Sequence, residues 1–366
     1  MVRLRTKPMR VSRENIIITM MLLYFLDSVY LISSCPALEE KLDLFQYPIL
    51  LLMFIWTISS KIGYKNFFVW CISFAVFALS MLFSGSVTLI KNMLILVFAE
   101  KCDIKALYKK LFSCYAVAII SVFVLGLLGI LPSTTVRRGY STFGFSHSNM
   151  FAANVLSLLC CYVISLQRKL TEKHYFALLL VTCATWLLTD SRTSVLTMVG
   201  FVLVLFFVEK FERFVLRGSL LYRLILCLPF ILLFLSVWCG LSYRTGSTFI
   251  LKLDELLSGR IWLADDFMKV ITPQWLGQRV NIHLVENTYL VTLYADGIIP
   301  TLLMCFLASV ALKRYMDAHS AGLTAAMIGF LIHGLTETTA FNPFINVALL
   351  GVFMKLTRRE YRKAVI

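Results

Sequence analysis

Long apolar runs separated by short polar connections fill almost the whole chain. The runs fall near 15–34, 44–60, 66–83, 86–99, 112–131, 147–166, 175–189, 193–208, 222–241, 288–311, 321–334 and 344–356. A helix needs about 20 apolar residues to cross roughly 30 Å of hydrocarbon, and several of these runs are short for it. The pattern predicts an all-α polytopic membrane protein with twelve transmembrane helices in a single integral membrane domain, 1–366. The first run follows Arg3, Arg5, Lys7, Arg10 and Arg13, which resembles the charged start of a signal peptide. The run Asn15–Ser34 is too long for a signal core, and Ser33-Ser34-Cys35-Pro36 is a poor cleavage site. It is read as an uncleaved first span with its N-terminus in the cytoplasm.

Most connections are short, as in a compact helical bundle. Two are not. Pro132–Ser146 is polar and carries Arg137, Arg138 and Gly139. Ser242–Asn287, between the ninth and tenth runs, is the one long hydrophilic segment and is predicted to be extracytoplasmic. Within it Leu256, Leu263 and Phe267 recur near helical spacing beside Asp265 and Asp266, which predicts an amphipathic stretch over Leu251–Val270. With Trp262, Trp275 and several Leu and Ile, the segment is expected to fold onto the membrane surface. No internal repeat or low-complexity tract is evident.

Composition agrees with a lipid solvent: 59% of the 366 residues are hydrophobic, too many for a polar surface around a soluble domain of this size. The net charge of +15 does not point to nucleic acid, because basic residues lie between apolar runs rather than along one face. Anionic lipid headgroups are the better partner. The ten cysteines are scattered, without metal-ligand spacing or a disulfide framework, and read as small packing residues.

Charge also sets orientation. With twelve spans and both termini cytoplasmic, 25 of the 35 basic residues fall inside, nine outside, and Lys91 within a span. The loop Glu100–Lys110 is basic and the first outer loop, with Glu39, Glu40 and Asp43, is acidic, as the positive-inside rule requires. Six of the nine outside residues are arginines gathered in three loops. These exceptions need a separate explanation, and a phosphate group held at the outer face supplies one.

Arg192 sits in a tight turn, Thr189-Asp190-Ser191-Arg192-Thr193, where a guanidinium presents a fixed fork of donors at headgroup depth. The alternative is a snorkelling arginine paired with Asp190. Arg260 begins the predicted amphipathic helix, and Arg244 and Arg279 share its loop. Several arginines converging on one face can neutralise a departing diphosphate, whereas any single one is equally well an ordinary solvated charge. His283 and Glu286 precede Asn287-Thr288-Tyr289, where the chain re-enters the membrane, and either can act as general base on a sugar hydroxyl. Asp27 within the first run, and His333 with Glu337 at the outer end of the eleventh, are further candidates to line a polar cavity. No Asp-x-Asp pair, P-loop or zinc-ligand cluster is present, which argues against a cytoplasmic nucleotide-sugar enzyme.

These residues form a familiar order. Arg138-Gly139, then Phe143-Gly144-Phe145-Ser146-His147-Ser148-Asn149, resembles the lead-in to a central span in the O-antigen ligase and polymerase superfamily. Ser191-Arg192-Thr193 is similar to that family's Ser-Arg-Thr turn. Ser258-Gly259-Arg260-x-Trp262, Pro273 to Gly277, His283 to Leu290 and Tyr294 to Ile298 are similar to its outer loop and the span that follows. The resemblance covers about residues 130–300. It implies a glycosyltransferase-C-like membrane fold and metal-independent use of undecaprenyl-diphosphate-linked oligosaccharide, without a cofactor. It implies Arg192 and Arg260 as diphosphate ligands and Asn287 as a positioning residue. Arg138, Arg279 and Arg244 are further candidate diphosphate ligands, Glu286 or His283 the candidate base, and Asn149 and Glu337 candidates to position substrate. Glu286 stands before Asn287 where ligases commonly carry His, and His283 is three residues further back. That departure favours a polymerase of the Wzy type for capsular polysaccharide, exopolysaccharide or O-antigen, in a bacterial plasma membrane. A flippase and a chain-length regulator are the partners so implied. The alternatives are a ligase that moves finished glycan to another acceptor, and a flippase or exporter. A transporter is expected to carry charges near the midplane and repeated halves, whereas here, apart from Asp27 and Lys91, the candidate site charges cluster at the outer interface.

Overall fold

The computed structural model describes residues 13–31, 36–59, 64–132, 142–167, 169–189, 191–210, 219–280 and 285–356. These residues form helices and no strand: α1 (Arg13–Leu31), α2 (Pro36–Ser59), α3 (Tyr64–Ser84), α4 (Thr88–Ala99), α5 (Ile104–Leu127), α6 (Ser148–Leu166), α7 (Glu172–Thr189), α8 (Arg192–Lys210), α9 (Leu220–Tyr243), α10 (Thr248–Leu256), α11 (Arg260–Val270), α12 (Thr288–Val291), α13 (Ile298–Asp317) and α14 (Ala321–His333). Among the described residues six helices are long and apolar enough to cross a membrane: α3, α5, α6, α8, α9 and α13. Their outward faces stay apolar, with Phe68, Leu82, Leu203 and Phe234 all exposed. A surface of that kind suits lipid and not water, and the protein is a polytopic membrane protein.

Interior packing uses small residues where helices approach closely, as expected where lipid removes the hydrophobic drive for association. On α14 a Cβ added to Gly322 would lie 3.1 Å from Val163 of α6, and one added to Gly329 would lie 3.5 Å from Phe201 of α8. The two helices therefore seat against α14 with little room to spare. Residues 85–87, 191, 244–280, 285–287 and 334–346 lie at one end of the bundle, and 100–103, 169–171 and 318–320 at the other.

Two predicted spans are not continuous helices. The run 288–311 breaks after one turn of α12 into a π-helical turn, Thr292–Asp296, and restarts at α13. The cause is a second stretch of backbone crossing it. Ile298 N–H donates to the Gln274 carbonyl (2.9 Å), Ile299 N–H to Trp275 (3.1 Å) and Gln278 N–H to Ala295 (2.9 Å). A Cβ at Gly297 (φ 108°) would meet the Leu276 carbonyl carbon at 2.7 Å, and one at Gly277 (φ 95°) the Ala295 oxygen at 2.5 Å. Only facing glycines let two main chains touch in this way.

The run 344–356 is not an α-helix. It holds one 3₁₀ segment, Val347–Val352, and is buried from Phe344 to Met354. Lacking a helical ladder, it hands its carbonyls to donors on surrounding helices. Tyr115 of α5 donates to Phe344, Ser157 of α6 to Ile345 (2.7 Å), Tyr108 of α5 to Val347 (2.7 Å) and Tyr315 of α13 to Ala348 (2.5 Å). Arg314 donates to Val352 and, at 2.5 Å, to Met354. Non-helical backbone is tolerated in a bilayer only where protein satisfies it in this manner. The partners run from the middle of α5 towards its N-terminal end and on to the last turn of α13, so the segment passes down through the bundle away from the Glu337 turn. The long hydrophilic segment between α9 and α12 differs in detail as well. The single amphipathic stretch over 251–270 is two helices, α10 and α11, because Ser258 and Gly259 take positive φ values of 60° and 83°.

Candidate functional site

Five polar side chains from five separate stretches meet at one end of the bundle. Ser191, just ahead of α8, donates its hydroxyl to Asn149 Oδ1 (2.8 Å). Asn149, in the first turn of α6, donates Nδ2 to Glu337 Oε1 (2.8 Å). The same Oε1 receives Arg260 Nη2 at 2.8 Å, and that nitrogen also pairs with Glu286 Oε2 at 2.8 Å. The result is a chain Ser191–Asn149–Glu337–Arg260–Glu286 that runs from α8 through α6 to the α11 tip and the lead-in to α12.

Glu337 sits in the turn after α14, and backbone contacts fix that turn. Thr288 N–H donates to the carbonyls of Gly334 (2.8 Å) and Glu337 (3.2 Å), and its hydroxyl donates to Glu337 O (2.6 Å) while accepting Ala340 N–H (3.1 Å). Asn287 adds a second clamp. Its Nδ2 donates to Leu335 O (2.9 Å) and Ser236 Oγ (3.1 Å), and its Oδ1 caps α12 by accepting Leu290 N–H (3.0 Å). Asn287 is therefore committed inside the protein, holding the Glu337 turn against α9 and α12.

Electrostatics in the cluster are unbalanced. The Arg260 side chain is 13% exposed, Glu337 5% and Glu286 47%. Burial is the largest influence on Glu337 and pushes its carboxyl up to about 7. Arg260 opposes the rise, Glu286 adds to it, and the Arg260 and Asn149 hydrogen bonds oppose it again. Both carboxylates use one nitrogen of the guanidinium, and Arg260 Nη1 is buried with no hydrogen-bond partner among the described residues. Glu337 likewise engages only Oε1, leaving Oε2 without a partner among the described residues. A buried donor and a near-neutral proton acceptor are thus both uncommitted within one cluster.

The other expected ligands are placed differently. Arg244 pairs with the buried Asp265 (2.6 Å), which also takes Lys269 (2.7 Å). Burial raises the Asp265 carboxyl, but hydrogen bonds and charge from Lys269 and Arg244 outweigh it and leave the group below the ordinary carboxylate range. Arg244 thus braces α11 against the end of α9 through its Nε. Arg279 is exposed and lies against Gly85 at the α3–α4 turn. Arg192 is exposed, with no ion pair among the described residues, at the first position of α8, next to the Ser191 that joins the cluster. His333 is fully buried, with Nδ1 bound to Thr339 (2.8 Å) and Nε2 3.4 Å from Ser194, so it packs beneath the turn. Arg138 and His283 lie outside the described residues, as do Asp190 and the side chain of Asp27.

Sequence reasoning missed Ser191 and Ser236 as polar partners and underrated Glu337. The one sequence signal for Ser191 is its place at the start of the Ser-Arg-Thr turn. Among the described residues no three His, Cys, Asp or Glu side chains gather as metal ligands. Comparison with protein-family models, with curated proteins and with solved structures finds no match to this chain.

Proposed function

We propose that the protein is a glycan polymerase that joins undecaprenyl-diphosphate-linked oligosaccharide repeats at the outer face of a bacterial plasma membrane. One observation carries the reading: a buried arginine with an uncommitted Nη1 lies beside a carboxyl raised to about 7 with an uncommitted oxygen. Arginine forks bind phosphate oxygens in a plane, and a carboxylate tuned towards neutrality is suited to general-base work at physiological pH.

In this reaction the growing chain on its lipid diphosphate is the donor and a lipid-linked repeat is the acceptor. Glu337 Oε2 takes the proton from the acceptor hydroxyl as that oxygen forms a bond to the donor's anomeric carbon. The bond from that carbon to the diphosphate breaks, and the lipid diphosphate leaves with the electron pair, its charge met by Arg260. Glu286, half exposed, occupies Arg260 until the diphosphate competes for it. Attack opposite the leaving group inverts the anomeric centre. Holding two lipid-anchored substrates in one interfacial site converts a bimolecular encounter into a local one. Arg192, exposed at the same end beside Ser191, is the second ligand.

The test is Arg192→Lys and Arg260→Lys, which keep charge but lose the planar fork. Both variants should insert normally, lose most polymerisation and cause single lipid-linked repeats to accumulate in cells. Full-length polymer in both would refute the diphosphate reading, and lipid-linked chains of full length accumulating in a deletion strain would favour a ligase.

A further inference from the structure

Arg260 owes its position to an aspartate on the preceding helix. Asp254, in the last turn of α10, is 8% exposed, and its Oδ1 accepts the backbone N–H of Ile261 at 2.7 Å and of Trp262 at 3.0 Å. Those are the two amides after Arg260, in the first turn of α11, where helix donors have no partner within the helix. The usual capping position is taken by Gly259, which has no side chain to offer. Ser258 and Gly259 turn the chain through two positive-φ residues, and Gly259 N–H returns to the Asp254 carbonyl at 2.9 Å. Asp254 therefore binds its own turn through the backbone and the next helix through its side chain. Ser258 N–H closes the turn on the α10 side by donating to the Glu255 carbonyl (3.2 Å), while the Asp254 side chain reaches across it to the α11 amides.

We infer that Asp254 is a positioning residue that acts through Arg260: by capping α11 from α10 it holds the guanidinium between Glu286 and Glu337. The inference rests on the reading of Arg260 as a diphosphate ligand. Displacement of a ligand by about 1 Å can cost on the order of 10²-fold in function, and a lost cap frees the first turn to move by that much.

The test measures binding of undecaprenyl diphosphate itself to the detergent-solubilised full chain. Arg260→Ala should weaken binding strongly. Asp254→Ala should weaken it about 10- to 100-fold, and Asp254→Asn, which keeps the accepting oxygen, should stay within about twofold of the parent. In the Arg260→Ala background, Asp254→Ala should cost nothing further, because a residue that acts through another has no effect once that other is gone. Gly259→Ala gives an independent route to the same corner: nothing lies within 4 Å of its Cβ, yet its φ of 83° strains any other residue. It should mimic Asp254→Ala, and it carries the test if Asp254→Ala does not fold. Additive losses in the double variant, or an Asn variant as weak as the Ala variant, would overturn the inference. Unchanged binding in Arg260→Ala would instead overturn the diphosphate reading on which it rests.

Discussion

Removing the proton acceptor from Glu337 should change both the rate and the pH dependence of polymerisation. Its carboxyl rises from 4.5 to about 7, which corresponds to a cost of about 3 kcal/mol for ionising it in place. The reactive carboxylate is then present above pH 7 and lost below it. With purified protein and lipid-linked repeats, kcat/KM should rise about tenfold per pH unit up to an apparent value near 7 and level off above it. Glu337→Gln should reduce turnover by about 10²–10⁴ and flatten the profile. Glu286→Gln should shift the same profile to lower pH, since the Glu286 charge helps to raise Glu337. Linkage gives a second readout. Between about 4.5 and 7 the folded protein holds a proton that the unfolded chain has released. Stability from this group is therefore greatest below the lower value and is lost as pH rises through the upper one. Wild-type Tm relative to Glu337→Gln should fall across that window. A wild-type profile without inflection between pH 5.5 and 8.5, or an unchanged profile in Glu337→Gln, would refute Glu337 as base and return the role to Glu286 or His283.

Three further outcomes follow from other parts of the fold. A cysteine at Lys252, exposed on α10, should react with an impermeant thiol reagent in intact cells, and one at Lys173, exposed at the opposite end of the bundle, only after permeabilisation; the reverse would invert the orientation. Tyr108→Phe should strand the Val347 carbonyl within the protein and lower stability by about 1–3 kcal/mol, read as a fall in Tm of the detergent-solubilised protein. Polymerisation should persist in excess EDTA, and activity lost to chelation and restored by magnesium would contradict charge neutralisation by arginine alone.

Ten of the twelve apolar runs fall on one helix each, because a continuous apolar stretch in lipid has few alternatives to a helix. The run 344–356 is as apolar as the rest, and its departure depends on hydroxyls and a guanidinium supplied by α5, α6 and α13. No linear pattern carries that information. The break at 292–297 was hinted at by Gly297, but its partner Gly277 lies twenty residues earlier. The arginines that break the charge rule were legible as a group and not as individuals. What separates Arg244 from Arg260 is which carboxylate folds against each: Asp265 on the same hairpin for the first, Glu286 and Glu337 from distant turns for the second. Asn149, Ser191, Arg260 and Glu286 stood in or beside recognisable motifs, yet Glu337, which links them, stood in none.

The buried passage after α14 has a consequence for biogenesis. A transmembrane helix can leave the translocon alone, since its backbone is satisfied before any neighbour arrives. The stretch from Phe344 to Met354 has no such independence: its carbonyls need Tyr108, Tyr115, Ser157, Arg314 and Tyr315 already in place. It can thread the membrane only through a groove built by the earlier helices, so its insertion and the assembly of the tertiary fold are one event. Because that passage begins at the Glu337 turn, the polar cluster closes only when the rest of the bundle has assembled. A half-inserted chain carries no finished site.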